Sequence, residues 1–136
     1  MSEKKELILS EALEDYLFDI YKILKHQPAV RVRDIAKRRN VRLSSVVNAL
    51  KQLSKLGLVN YEKNSFVTLT DKGLSFGKRM EERRELIIKF LVDVLGVPPD
   101  IANMDVHKME HFLSTETLEG ISRFVKDMEK QKYNKT

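Results

Sequence analysis

The 136-residue chain contains no cysteine, which excludes a disulfide framework, a cysteine-ligated zinc site and a thiol nucleophile. Proline and glycine are scarce, at three and five residues, so little of the chain is punctuated by turns. No apolar run approaches the roughly 18–20 residues that span a bilayer. The N-terminus opens with basic residues but reaches acidic ones before any apolar core develops, so no signal peptide is expected and a cytoplasmic location is the default. There is no glycine-rich phosphate loop and no Ser/His/Asp order. What remains, 42% apolar and 33% charged residues, describes a foldable, helix-leaning, non-membrane chain of about one domain's length.

Charge is unevenly placed. The net charge is +5, yet residues 22–72 hold twelve Lys and Arg against three Asp and Glu, a local +9. The rest of the chain carries −4. A basic module joined to an acidic one points to a reader of polyanions attached to something else. Charge alone is also compatible with a merely solvated basic face.

Periodicity supplies the frame. Ser10 suits an N-cap, with Glu11 and Glu14 favouring the helix dipole, and Leu13, Leu17, Ile20, Tyr21 and Leu24 recur at helical spacing until Gln27 and Pro28. Val32, Ile35 and Ala36 mark a short helix ending near Asn40. Ser44 to Leu56 reads as another, with Val46, Leu50, Leu53 and Leu56 inward and Gly57 beyond its end. Two short helices joined by so tight a turn make a helix-turn-helix. From Leu58 to Thr70 the period drops to about two, and Glu62–Ser65 is a polar turn between Tyr61 and Phe66, the mark of a β-hairpin. Helix-turn-helix followed by hairpin predicts a winged helix. Thr70 and Asp71 then start a long helix to about Leu95, Pro98–Asp100 a helix through Leu113, and Ser114 a last helix to about Lys130, leaving Gln131–Thr136 as a polar, frayed tail. The expected fold is mainly α: a winged-helix DNA-binding domain over 1–72, then an all-helical domain over 73–136.

On the second helix of the motif, Ser44, Ser45, Val47, Asn48, Lys51 and Gln52 stay outside once the inward positions are removed. The N-terminal part of such a helix enters the major groove. Asn48 can make paired hydrogen bonds to adenine, Val47 can touch a thymine methyl, and Ser44 and Ser45 can donate to phosphates or base edges. Arg42 and Lys51, with Lys63 at the hairpin tip, suit phosphates, which fix register without specifying sequence. Double-stranded DNA is the expected partner. A winged helix that binds protein instead is the competing class, disfavoured by the excess of Arg and Lys.

The chain also resembles a known family, the metal-dependent repressors of the DtxR/MntR type. The resemblance rests on blocks in order along nearly the whole chain: Glu14, Asp15, Tyr16, Leu17, Ile20 and Tyr21; Val30 to Ala36; Leu43 to Val46; Gly57 to Tyr61; Leu69 to Gly73; Phe90, Leu91 and Leu95 to Val97; and Glu110 to Ser114. It implies a homodimer whose second part supplies the dimer interface and whose bound metal sets the spacing of the DNA-reading heads. The length resembles that of the shorter, manganese-sensing branch, without the extra SH3-like domain of the longer one.

Carried over by position, the resemblance implies metal ligands at Asp15, His107, Glu110 and His111. The last three stand at i, i+3 and i+4 and so share a helix face. Two imidazoles and two carboxylates suit one divalent transition metal per chain, Mn or Fe by resemblance, with Zn or Co also compatible with nitrogen donors. Phe18 stands where the manganese-sensing branch has a Glu, and Arg84 where the family has a His; Ile88 and Asn103 stand at second-site positions, so a two-metal site is not expected. Arg84 cannot ligate a cation. It either pairs with Glu110 or Asp15, so that a fixed charge replaces the metal and the regulator is metal-independent, or points to water. One enzymatic alternative remains. His107, Glu110 and His111 match the H-x-x-E-H motif of inverted zinc proteases, but only 25 residues follow in which to find a third ligand. No enzyme is expected.

Overall fold

The computed structural model describes residues 9–134. The N-terminal stretch in which a signal peptide was sought, up to residue 8, lies outside the described residues, as do Lys135 and Thr136 of the expected tail. The chain divides into two units, the first extending to Lys78 and the second beginning at Arg79.

The first unit starts with α1 (Glu11–Leu24), whose N-cap Ser10 accepts a hydrogen bond from the Leu13 backbone N–H at 3.2 Å. That bond satisfies one of the four N–H groups a helix start leaves open. α2 (Val32–Arg39) stops where Asn40 turns left-handed at φ 54°, a conformation asparagine tolerates better than most residues. α3 (Leu43–Lys55) ends in a Schellman cap: the Leu58 N–H donates to Leu53 and the Gly57 N–H to Ser54, with Gly57 at φ 74°. Val46, Ala49, Leu50 and Leu53 face inward from α3 onto Leu17 and Ile20 of α1 and Ile35 of α2, forming one core.

β1 (Val59–Asn60) and β2 (Thr68–Leu69) pair antiparallel, Val59 opposite Leu69 and Asn60 opposite Thr68. The turn between them holds Asn64 at φ 65°. The hairpin is not alone: Val30, in the loop before α2, exchanges both backbone hydrogen bonds with Val67, at 3.1 and 2.7 Å. Sequence periodicity did not foresee this third rung, because a single bridging residue has no period. α4 (Asp71–Lys89) follows at once. Thr70 accepts from the Gly73 N–H and donates to the Gly57 carbonyl, tying the helix start to the Schellman cap. Gly73 lies against the Leu58 carbonyl, where an added Cβ would fall 1.9 Å from the oxygen.

The second unit contains the end of α4, a π-helical turn (Phe90–Val94), α5 (Pro99–Phe112) and α6 (Thr115–Asn134). Two expectations are corrected. The long helix ends where expected, with Gly96 turning left-handed at φ 73°, but it is not α-helical throughout: after Lys89 it widens, Leu95 N–H donating to Phe90 and Val97 to Leu91, while Gly96 keeps an ordinary bond to Val92. Pro98 and Pro99 carry no N–H, so the last carbonyls are satisfied by these wider bonds before the prolines end the run. The last helix does not stop near Lys130 but continues to Asn134. Gln131–Tyr133 are exposed, so no apolar repeat announced the extension, though Gln and Lys are good helix formers. Its start is as expected, with the Ser114 hydroxyl accepting from the Thr117 N–H. Ile87, Leu91, Ala102 and Val106 form this unit's core, with Ile88, Val97, Met109 and Leu118 partly buried against it.

Candidate nucleic-acid interface and metal centre

α3 presents the face that its sequence pattern predicts. Ser44, Ser45, Asn48, Lys51 and Gln52 are exposed, Val47 is half-buried, and Arg42 is exposed at the N-cap position. Lys63 is exposed in the hairpin turn. A groove of about 1080 Å³ runs between α3 and the hairpin and brings Val47, Lys51 and Lys63 to one surface. Arg42, Ser44, Ser45 and Asn48 are not among its lining residues.

The groove also takes in Asn64, expected beside Lys63 at the hairpin tip, and three cations and a ring not singled out from the sequence as DNA contacts: Arg31, Arg33, Lys55 and Phe66. Five cations and no carboxylate line it. The Arg31 guanidinium sits 5.0 Å from the centre of the Phe66 ring, whose exposure is 52%. The excess of basic residues over 22–72 was the signal that pointed here, but it could not say which of them converge. Arg39, outside the groove's lining, hydrogen-bonds Asp19 at 2.6 Å and lies over the Tyr16 ring, so this arginine is held within the unit.

In the second unit, α5 carries His107, Glu110 and His111. A ring nitrogen of His107 and a carboxylate oxygen of Glu110 lie within 4.8 Å. The His107 and His111 rings stand edge to face with centroids 6.1 Å apart. Glu110 is the buried charged residue among those described, 2% exposed, and its Oε1 accepts no hydrogen bond. The Nε2 of His111 lies 3.8 Å from Oε1, and Nη1 of Arg84 lies 3.6 Å from it. Burial pushes the Glu110 carboxyl above its ordinary range, while Arg84, His111, His107 and Arg83 pull the other way.

Arg84 therefore does not simply point to water. Its contact with Glu110 is an ionic one, too long for a hydrogen bond, and not the bidentate pair an arginine makes with a carboxylate at its best. In the first unit Asp15 is half-buried on α1, its carboxylate within 4.8 Å of that of Glu11, one helical turn earlier. Glu11 had been read only as a first-turn acid; its i, i+4 spacing from Asp15 was the available signal. Phe18 is buried and stacks on Tyr21, and its ring offers no ligand atom. A buried carboxylate oxygen without a hydrogen bond, beside two imidazoles, fits a divalent transition metal: the cation supplies the charge that burial otherwise makes costly.

Residues 8–67 match the family domain described as the iron dependent repressor N-terminal DNA binding domain, and residues 70–136 match its metal binding and dimerisation domain. The chain belongs to the iron dependent repressor family. An uncharacterized HTH-type transcriptional regulator of Methanocaldococcus jannaschii is 38% identical over 118 residues, covering 86% of this chain and 94% of that regulator. The HTH-type transcriptional regulator MntR of Lysinibacillus sphaericus is 37% identical over 118 residues, covering 87% of this chain and 84% of its own. Among solved structures, a manganese-dependent transcriptional repressor in complex with manganese superposes with a TM-score of 0.74 at 29% identity, over 83% of this chain. The chain spans about half, 52%, of that longer protein.

Membership in the iron dependent repressor family fixes the division of labour: the N-terminal part is the DNA-binding domain and the C-terminal part the metal-binding and dimerisation domain. This is a family of transcriptional repressors, which decides against reading His107, Glu110 and His111 as a zinc hydrolase. No helix among the described residues is long and apolar enough to cross a membrane.

Proposed function

We propose that this chain is a metal-responsive repressor that acts in the cytoplasm as a homodimer on an operator duplex near genes of metal uptake or metal homeostasis. One divalent transition metal per chain is held by Asp15, His107, Glu110 and His111. The observation that carries the reading is Glu110, a buried carboxylate with an unbonded oxygen flanked by two imidazoles on one helix face. Asp15 joins the set on the sequence resemblance alone. Manganese or iron is the favoured ion, after a relative named MntR and a related repressor solved with manganese. Two nitrogen donors leave zinc and cobalt chemically acceptable. The metal supplies positive charge that couples the ligand-bearing residues; every contact with DNA is made by the chain's own side chains.

Arg42, Lys51 and Lys63 hold phosphates, Ser44 and Ser45 donate to phosphates or base edges, and Asn48 and Val47 read bases. The self-association surface includes Ile101, Met104 and Phe112 of α5, exposed at helical spacing in the unit that carries the family's dimerisation domain.

The test is calorimetric titration of metal-free protein with Mn, Fe, Co and Zn beside a His111→Ala control, followed by duplex binding with and without the bound ion. One site per chain, lost in the control and needed for tight duplex binding, is the expected result. Duplex binding equally tight without any metal overturns the reading. Within the DNA face, Asn48→Ala is expected to relax base preference, whereas Lys63→Ala weakens all duplexes alike and flattens the salt dependence by about one phosphate's worth.

A further inference from the structure

We propose that Arg84 is a resident counter-ion for Glu110 that an incoming metal must displace, so that the chain carries its own competitor for the metal site. The inference rests on the metal-site reading above and concerns its regulation. Glu110 Oε1 is buried and accepts no hydrogen bond, so at that oxygen no dipole replaces the lost water. Of the groups that offset its charge, Arg84, His111, His107 and Arg83, the Arg84 guanidinium acts most strongly and lies 3.6 Å away, its side chain 23% exposed. A contact at that distance without a hydrogen bond supplies attraction without locking geometry.

The partners around Glu110 sort into two kinds. His107 and His111 can be neutral and offer lone pairs; Arg84 is always protonated and has none. A divalent cation bound to Glu110 and the imidazoles would stand next to a fixed positive charge of the same sign. The guanidinium must then withdraw, and it has the means: it lies on the long, flexible side chain of a half-exposed position on α4, with water at one side. Metal and Arg84 are therefore alternative counter-charges for one carboxylate. The metal-free protein is stabilised by the arginine, and metal affinity is reduced by what the arginine already contributes.

The experiment compares wild type, Arg84→Gln, Arg84→Lys and His111→Ala. Cobalt absorption reports binding by nitrogen and oxygen donors, competition with manganese gives affinities, and thermal melting of the metal-free proteins reports the counter-ion. Arg84→Gln is expected to bind metal about tenfold more tightly or better and to melt lower without metal. Arg84→Lys keeps the charge and falls between Arg84→Gln and wild type in both readouts. Cobalt binding by Arg84→Gln but not by wild type also supports the proposal, as full occupancy by the arginine. If Arg84→Gln binds metal no more tightly than wild type while His111→Ala still abolishes binding, the metal site stands and the competitor does not. If neither wild type nor Arg84→Gln binds any ion, the metal-site reading itself fails and takes this inference with it.

Discussion

In the first unit fourteen buried residues, among those described, draw three helices and a hairpin around one core, and its charge is displayed outside. In the second unit four buried residues form the core, and Met104, Phe112 and Tyr133 are 72%, 75% and 82% exposed. The first unit closes a large core, leaving Leu43, Phe66 and Leu74 exposed beside its surface cations. The second exposes still more of its apolar side chains around a thin core, and Glu110, its one buried charge among the described residues, has an oxygen without a hydrogen bond. A closed core with a decorated surface suits a rigid reading head. A thin core with unspent apolar area and an uneasy buried charge suits a part completed by other things, a second copy and an ion.

The contrast can be broken most severely from the first unit. Leu50→Ala removes a fully buried side chain and is expected to cost about 3–5 kcal/mol, read as a loss of helical signal at lower temperature and a loss of duplex binding. Phe112→Ser acts oppositely. Because the ring is exposed, the fold should hold, but self-association should weaken by about 2 kcal/mol, seen by sedimentation as monomer at micromolar concentration. Unchanged association would move the dimer contact elsewhere on this unit.

Glu110→Gln sharpens the comparison at the buried charge. Burial pushes the Glu110 carboxyl above its ordinary range, so the native fold binds its proton more tightly than the unfolded chain does. Glu110 therefore supports the metal-free fold below the ordinary carboxylate pKa, and that support is lost as pH rises through the raised value. Glu110→Gln should accordingly stabilise the metal-free protein at neutral pH, read as a higher melting temperature, and the difference should vanish in acid, where the wild-type carboxyl is neutral. Added metal should no longer raise its melting temperature. The smallest effect belongs to the cap: Ser10→Ala should cost about 1 kcal/mol, entirely within the first unit, with metal affinity unaffected by the loss of that bond.

Elements whose residues act locally were legible before any coordinates. Ser10 announced a helix start, Gly57 an end, and the polar run Glu62–Ser65 a turn, because caps and turns depend on the chemistry of one to four adjacent residues. The exposed face of α3 followed from subtracting its inward positions. What stayed hidden depends on partners distant in sequence. Nothing near Val30 signals Val67, thirty-seven residues away along the chain. Family resemblance marked Arg84 as out of place and offered Glu110 or Asp15 as its partner; the packing of α4 against α5 brings it to Glu110, as a 3.6 Å ionic contact instead of a bidentate pair. The convergence of Arg31, Arg33 and Lys55 on the groove was hidden for the same reason.

The rung between Val30 and Val67 bears on how fast and how selectively the reading head can work. A hairpin held only by its own two short strands would sample many orientations, and each encounter with a duplex would have to select one. Pinned at its base to the loop that leads into α2, the wing moves with the helix-turn-helix, leaving only its tip around Lys63 and Asn64 to adjust. The spacing between wing and α3 is then a built-in ruler. With Lys63 on a phosphate, as proposed, a duplex whose groove width does not match that spacing would meet a rigid mismatch instead of an accommodating arm, and the wing would discriminate by DNA shape without a hydrogen bond to a base.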